Sequence, residues 1–518
     1  MAVMPNFQNI TTFKTNNIGE DLSAQATDFF ASRRGTDLSR YVGVSLPGVP
    51  NLSRKRTLFN RSALVSTNAL WKLGRGEFKT QIDYSFNRIT AEAANVTTYF
   101  LNDGNRVVTE DRNGVDRSHS LSGKFIYELN QKTAFINNTL KTNIDWDDVR
   151  LGVTGSLSNN QTASLPDYYV GNNFKLIKRF NGKHLVTFIS KNEWESLPQT
   201  LSVSINDGFM RQQVKDHAFY TNESAAYAFS VKGITISLEG GVKGYVRTMR
   251  SELPDMPEEI PGETTNVLNT NYFTVYATPK FEYWVRRVNF TLNAPVSFAH
   301  YTFDKALANR SEVYFSPSLS MNWKPNNRFE MSVSGGTGRS PMDLNMIQPG
   351  YVMTNYRSFR RGVDDFYNSS SQRVSGRLSY KHTRRGIFAN AMVMQSWSHR
   401  PYTLAQQLYG DYVVYSYTDA ESDGQMLMAS GNIGKTLDFM RGSANINGSF
   451  SRNESHLISE NTNVNSVGTS WSVGAKINGA PLRWFSFDYR FEWASSRMSM
   501  NGTNASWLGN MENELLLN

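Results

Sequence analysis

Residues 77–89 alternate between apolar and polar side chains for most of their length, and this pattern restricts what the segment can form. Successive side chains of a β-strand point to opposite faces, so each face of this segment has its own chemistry. One face carries Phe78, Thr80, Ile82, Tyr84 and Phe86. The other face carries Lys79, Gln81, Asp83, Ser85 and Asn87. A strand with two such faces separates water from an apolar phase.

The same alternation returns along most of the 518 residues, for example at residues 134–146 and 234–249. The mean hydropathy is −0.47 although 13% of the residues are aromatic. No apolar run approaches the ~18 residues that a membrane helix requires. Lipid-facing and lumen-facing residues average out along the strands of a membrane barrel. The sequence therefore predicts an all-β protein, a large antiparallel up-and-down transmembrane β-barrel with a wet interior.

The predicted strands are joined by short turns at one rim and by long polar connections at the other, as in outer-membrane barrels. The short turns include residues 74–76, 181–183 and 231–233, and the long connections include residues 90–117, 194–213, 250–270, 337–369 and 398–424. This division gives about 19 strands, and an even-numbered barrel with both termini on the short-turn side would have about 22. We therefore expect a chain truncated at both ends.

Two regions are expected along the chain. Residues 1–56 would form the barrel entrance and the first outer loop region, with a first strand around residues 7–15. Residues 57–518 would form the transmembrane barrel, without a plug domain and without the last strands. The first five residues show no basic stretch followed by an apolar one, so no export signal is visible and the chain is expected to be a fragment.

Composition argues against several functions. The net charge is +9, but the basic residues are spread over strands and loops, so nucleic acid is not expected as a partner. There is no cysteine, and the seven histidines lack metal-ligand spacing, so no metal or cofactor site is predicted. No nucleophile elbow or paired acid and base is recognisable, and we predict that the protein is not an enzyme.

Aromatic and arginine side chains of the predicted outer loops are the candidates for ligand capture. Aromatic faces stack on sugars or flat ligands, and the guanidinium group pairs with carboxylates. Anchoring at the membrane interface or packing within the loops explains each of them equally well. The candidates are Tyr168, Tyr169, Trp194, Tyr356, Arg360, Arg361, Arg400 and Tyr402.

Charges on the predicted inner face, among them Asp83, Asp145 and Arg247, have two interpretations. They could solvate the wall and form hydrogen bonds with a plug, or they could line a path for solute. Polar interiors are general in such barrels, so the first interpretation is favoured.

Several stretches resemble a known family. Residues 26–40 and 46–53 are similar to the entrance of the barrel in TonB-dependent receptors of the Bacteroidota type, and so are residues 164–169 and 192–199. About 22 strands is also the size class of plugged outer-membrane transporters. The resemblance implies a receptor of the outer membrane that binds a nutrient outside the cell. Its implied partners are outer-membrane lipid, its own plug domain, a periplasmic energy-coupling protein and a surface lipoprotein lid.

Relative to that family, the chain lacks a plug domain, a coupling box and a closing strand, so it would represent the barrel portion alone. Two alternatives remain open at this point. One is a passive outer-membrane diffusion channel. The other is a secreted or surface-attached adhesion protein built from β repeats, which would lack a one-sided apolar band.

Overall fold

The computed structural model describes residues 6–14, 34–48, 59–101, 104–155, 158–180, 184–205, 208–304, 307–410, 412–459, 462–504 and 507–517. These residues form 28 strands of one hydrogen-bonded sheet and three short 3-10 helices. The 3-10 helices are Leu344–Met346, Thr383–Arg385 and Asp438–Met440. The strands are β1 (Asn6–Lys14), β2 (Phe59–Leu73), β3 (Gly76–Leu101), β4 (Gly104–Asn130), β5 (Ala134–Gly155), β6 (Asn159–Ser164), β7 (Asp167–Phe180), β8 (His184–Ile205), β9 (Gly208–Val231), β10 (Ile234–Glu252), β11 (Thr265–Val285), β12 (Val288–Asn293), β13 (Val296–Phe303), β14 (Arg310–Phe315), β15 (Ser318–Asn326), β16 (Phe329–Pro341), β17 (Val352–Asn355), β18 (Ser358–Arg360), β19 (Asn368–His382), β20 (Ile387–Arg400), β21 (Thr403–Tyr409), β22 (Tyr412–Thr418), β23 (Ser422–Leu437), β24 (Gly442–Ser459), β25 (Thr462–Leu482), β26 (Phe485–Met500), β27 (Thr503–Asn504) and β28 (Leu508–Leu517).

Most of these strands form a wall in which each strand pairs antiparallel with the next along the chain, from β1–β2 to β26–β28. The pairs β6/β7, β12/β13 and β14/β15 each act as one bent strand of the wall. Four short strands, β17, β18, β21 and β22, lie outside this order and include two parallel pairings. The predicted antiparallel up-and-down architecture is confirmed.

The two faces of β3 differ as the alternation predicts. Ile82 and Tyr84 on the outer face are 45% and 38% exposed, whereas Asp83 and Ser85 on the inner face are 6% and 4% exposed. Apolar side chains on the other wall strands, such as Val242 of β10, are exposed in the same way. The apolar rows are therefore not packed between two sheets. In the described part of the chain, no helix is long and apolar enough to cross a membrane.

The short turns follow from local backbone chemistry. Lys232 and Gly233 both have positive φ angles, of 47° and 82°, and they join the paired residues Val231 and Ile234. Two central residues with positive φ define the type I′ turn, whose twist matches that of the strands beside it. The predicted first strand around residues 7–15 is present as β1. Residues 15–33 and 49–58 of the expected entrance region lie outside the described residues.

Two of the predicted long loops are instead strand extensions, which corrects the sequence-based boundaries. The strands β3 and β4 stay paired up to Leu101 and Gly104, and β8 and β9 stay paired up to Ile205 and Gly208. In β8, the reason is an inversion of polarity within the strand. After Glu195, the inner face of β8 becomes apolar and the outer face carries small polar side chains. The inner residues are Leu197, Leu201 and Val203, and the outer ones are Ser196, Thr200 and Ser202.

The interior at the long-loop end is not polar, contrary to the prediction of a wet lumen throughout. Residues 342–367, here named the infolded loop, lie against the inverted inner faces of the wall. Val352, Met353 and Phe359 of the infolded loop are buried in one apolar cluster with Leu201 and Met249 of the wall. The apolar loop residues and the apolar inner faces cover each other, which removes both from water.

Candidate functional site

Residues 34–48, here named the inner segment, lie on the inner face of the wall. Arg34 pairs with Asp167 at 2.8 Å and also with Glu195, while the Gly35 N–H donates to Glu193. Glu193 and Glu195 are two residues apart in β8, so they share its inner face. Asp167 is two residues from Tyr169 in β7, and Tyr169 is the strand partner of Glu195, so the three carboxylates converge. Together they hold one end of the inner segment by charge-assisted hydrogen bonds.

The middle of the inner segment contacts both the wall and the infolded loop. The backbone N–H groups of Tyr41 and Val42 donate to Gln199 Oε1 at 2.7 and 3.2 Å. The Gly43 N–H donates to the carbonyl of Thr354 at 3.1 Å. Burial raises the pKa of Tyr41 well above its ordinary range, although the neighbouring Arg247 acts in the opposite direction, so the phenol stays neutral.

An aromatic and arginine cluster lies where the infolded loop meets β21 and β22. Arg360 Nη2 donates to the Tyr417 hydroxyl at 3.2 Å, with its guanidinium 5.6 Å from the ring centroid. The ring of Tyr402 is 5.8 Å from that of Tyr417 and 5.7 Å from that of Tyr367. Burial raises the pKa of Tyr402, and Arg400 opposes this. Rings and a guanidinium in one place can bind flat, sugar-like or carboxylate-bearing ligands.

Polar atoms without a partner accompany this cluster. Within the described residues, Arg360 Nε, Thr418 Oγ1 and both amide atoms of Gln348 are buried and make no hydrogen bond. Gln348 is close to Arg360 along the loop, because its carbonyl accepts from the N–H of Gly362 at 2.9 Å. Buried polar groups without partners are unfavourable unless water or a ligand meets them. Arg360, the member of the cluster among these residues, therefore has hydrogen-bonding capacity to spare.

The eight sequence-predicted site residues fall into three groups. Arg360 and Tyr402 meet through Tyr417, and Tyr356 and Arg361 lie on the same infolded loop as Arg360. Arg400, at the end of β20, is exposed beside Tyr402.

The remaining candidates belong to strands, not to outer loops. Tyr169 lies on the inner face, donates to Glu193 Oε1 at 2.7 Å and lies under the Arg34 guanidinium at 4.4 Å. Tyr168 and Trp194 lie on the outer face of β7 and β8, away from both clusters. The structure thus does not bring all eight residues into one site.

Sequence reasoning missed the carboxylates that hold the inner segment, namely Asp167, Glu193 and Glu195. A signal was present, because Glu193 and Glu195 flank Trp194 at a spacing of two and must share the face opposite to it. Their partner Arg34 is more than 130 positions away in the chain. Alternation predicts the face on which a side chain lies, but it does not predict which distant residue it contacts. Across the described ranges, no group of three His, Asp or Glu side chains could hold a metal ion.

The architecture is similar to that of solved transporters. The copper transporter OprC superposes with a TM-score of 0.50 at 8% identity, covering 89% of this chain and 77% of that chain. The chain shares the β-barrel fold of that transporter. The outer membrane transporter YddB from Escherichia coli has a TM-score of 0.47 at 9% identity, covering 89% of this chain and 75% of that chain. The siderophore receptor PirA from Pseudomonas aeruginosa has a TM-score of 0.45 at 11% identity, covering 87% and 78%. No family model matches the chain, and no curated protein matches it either.

Proposed function

We propose that this chain is the barrel of an outer-membrane receptor that binds a nutrient ligand at its long-loop end and takes it up by energy-coupled transport. The observation that carries the proposal is the pair of opposite faces on the wall strands. Apolar side chains are exposed on the outer face while carboxylates and amides are buried on the inner face, as a wall between lipid and an aqueous lumen requires. No catalytic role is proposed.

The infolded loop favours a receptor over a passive diffusion channel. Val352, Met353 and Phe359 are fully buried inside the long-loop end, and Leu253 between β10 and β11 joins them. Residues packed in this way occupy space that an open pore needs for water. The exposed apolar face in turn disfavours the surface adhesion protein, which would have to dissolve with those side chains in water.

We further propose that ligand is captured by the aromatic and arginine cluster of Arg360, Tyr402 and Tyr417. Support comes from the unpaired Nε of Arg360, which a ligand could satisfy. Tyr356, Arg361 and Arg400 would contribute from the neighbouring loop positions, and Tyr169 from the inner wall. Tyr168 and Trp194 are better suited to the headgroup region of lipid, because aromatic residues there are favoured on outer faces.

The partners proposed for the intact protein are outer-membrane lipid, a plug domain, a periplasmic energy-coupling protein and a surface lipoprotein lid. The plug would lie inside the barrel, against the same inner face of the wall that the inner segment contacts. The Bacteroidota type of receptor is part of the same proposal and is supported by the similarity of residues 26–40, 46–53, 164–169 and 192–199.

The test combines location, transport and conductance. We expect the tagged full-length protein in the outer-membrane fraction, and a deletion strain that grows poorly on one limiting nutrient. The panel would contain a ferric hydroxamate chelate, copper(II) and maltodextrin, with the wild-type gene supplied in trans as the control. Recovery from the soluble fraction would overturn the membrane location. Large ligand-independent conductance of the purified full-length protein in a planar bilayer would identify a passive channel instead.

A further inference from the structure

Arg247 is a fully buried charged residue that forms an ion pair within the wall and also donates hydrogen bonds to two other elements. It lies on the inner face of β10, and its Nε and Nη2 donate to the two carboxylate oxygens of Asp216 in β9 at 2.9 and 2.7 Å. The two side chains are 2% and 0% exposed. A guanidinium has five N–H donors in a planar fork, so this bidentate pairing leaves donors for other groups.

The remaining donors reach two elements that are distant in the chain. Nη2 also donates to the Tyr41 hydroxyl at 2.5 Å, and Tyr41 belongs to the inner segment. Nη1 donates to the carbonyl of Leu344 at 2.9 Å, and Leu344 begins the 3-10 helix of the infolded loop. One side chain thus bonds the wall, the inner segment and the infolded loop at the same time.

The inner segment and the infolded loop also bond each other around this point. Asn345 Nδ2 donates to the carbonyl of Asp37 at 2.6 Å, and the Gly43 N–H donates to the carbonyl of Thr354 at 3.1 Å. Beside Arg247 on β10, the Tyr245 hydroxyl donates to the carbonyl of Thr36 at 3.1 Å. The three elements are therefore connected pairwise, with Arg247 at their common point.

We propose that Arg247 is a latch that makes the positions of the inner segment and the infolded loop mutually dependent. A buried guanidinium is tolerated only while its donors are satisfied, because an uncompensated buried charge is strongly unfavourable. If the infolded loop leaves, the donor to Leu344 loses its acceptor and the cover over Arg247 is lost. If the inner segment leaves, the donor to Tyr41 is lost in the same way. Release of either element therefore loosens the other.

The latch would carry a consequence for uptake, and that consequence rests on the proposed function. The infolded loop holds Arg360 of the proposed ligand cluster, whereas the inner segment extends along the inner wall to Asp167 and Glu195. Movement of the loop on ligand arrival would thereby be transmitted to the interior. The latch itself requires no ligand, so its test does not depend on whether the transport proposal holds.

The test uses the full-length protein in membranes. This chain has no cysteine, and any cysteine outside these 518 residues is replaced by serine. Two buried positions serve as single-cysteine reporters, Val42→Cys in the inner segment and Met353→Cys in the infolded loop. Each is combined with the double substitution Arg247→Met and Asp216→Asn, which removes both charges and leaves no orphan ion. The control is Lys476→Met with Asp488→Asn, which removes a 2.9 Å ion pair of partly exposed side chains between β25 and β26.

We expect the reaction rate with a hydrophilic maleimide to rise at least ten-fold at both reporters in the latch variant and to stay unchanged in the control. Heat-modifiable migration on a gel shows that the barrel is folded in each sample. The milder Tyr41→Phe substitution, which removes one contact of Arg247, serves if the double variant fails to fold, and it should raise both rates by a smaller factor. A rise at one reporter alone, or no rise in a folded variant, would overturn the latch.

Discussion

Trp194 and Glu195 are consecutive residues of β8 that lie on opposite sides of the wall, with exposures of 43% and 3%. Earlier in the strand, Val186 and Phe188 are exposed on the same outer face as Trp194. From Leu197 onward the strand places its apolar side chains inward, against the infolded loop. The same inversion occurs in β5, where Trp146 is exposed on the outer face but Val149 and Val153 are buried on the inner face. We infer that these tryptophans mark the outer limit of the apolar phase around the wall.

A charge on the outer face should destabilise the wall far more than a charge on the inner face. Ile82→Arg places a guanidinium in the middle of the apolar row, and we expect a loss of about 2–4 kcal/mol in the free energy of unfolding, as at the midplane of membrane barrels. The control Gln81→Arg places the same charge one residue away on the inner face, beside Asp83. Denaturant unfolding in lipid vesicles measures both, and equal losses would contradict the assignment of the faces.

Removal of Arg34 should loosen the inner segment. Arg34→Met leaves Asp167 and Glu195 without their cation, and we expect the opening free energy of residues 35–48 to fall by about 1.5–3 kcal/mol, as for hydrogen bonds to charged groups. Arg40→Met is the control, because the Arg40–Asp147 pair is solvent-exposed and should contribute less than ~1 kcal/mol. Hydrogen exchange of the backbone amides in this range reports the difference. Similar effects of the two substitutions would refute the role of the carboxylate cluster.

Two glycines of the inner segment should respond differently to the same substitution. A Cβ added to Gly35 would overlap the Tyr220 ring and lie 2.8 Å from Glu193 Oε2, whereas a Cβ on Gly43 would meet no atom within 4 Å. We expect Gly35→Ala to weaken the docking of the segment by about 1–3 kcal/mol through overpacking, and Gly43→Ala to have little effect. Thermal release of the segment, followed with the Val42→Cys reporter, distinguishes them. A harmless Gly35→Ala would mean that the segment does not lie against β9.

The proposed ligand cluster should be separable from the outer-face aromatics. Arg360→Met and Tyr402→Ala are each expected to raise the half-saturating concentration of the limiting nutrient about ten-fold, equivalent to ~1.4 kcal/mol of binding free energy. Trp194→Phe is expected to leave uptake unchanged, because Trp194 points away from the interior. Uptake of the nutrient identified by the growth panel gives the measurement. A stronger effect of Trp194→Phe than of Arg360→Met would reject the cluster as the site.

The alternation of residues 77–89 was sufficient to predict the faces of β3, because two-residue periodicity is a local property of the backbone. The length of the strands was not predicted, since residues such as Leu197 and Val203 keep the alternation but exchange the chemistry of the faces. Only the presence of the infolded loop explains that exchange, and its packing partners are remote in sequence.

The candidate site was predicted in a similar, partial way. The chemistry of Arg360 and Tyr402 predicts them as site residues, and tertiary contacts bring them together through Tyr417. Arg247 was predicted to face the interior, which is confirmed, but its bonds to Tyr41 and Leu344 join residues more than 90 positions away. Alternation fixes the side of the wall on which a residue lies, and packing of distant segments fixes what it contacts there.

The most direct measurement is the environment of each residue along β3 in lipid vesicles. Single-cysteine variants from residue 78 to residue 87 would carry a spin label, whose relaxation by oxygen and by a hydrophilic nickel complex is compared. We expect a period of two, with the labels at 78, 80, 82, 84 and 86 relaxed mainly by oxygen dissolved in lipid. The labels at 79, 81, 83, 85 and 87 should be shielded from lipid. Labels of the first set that are shielded from both agents would show that the apolar row is packed inside the protein, which contradicts the membrane wall.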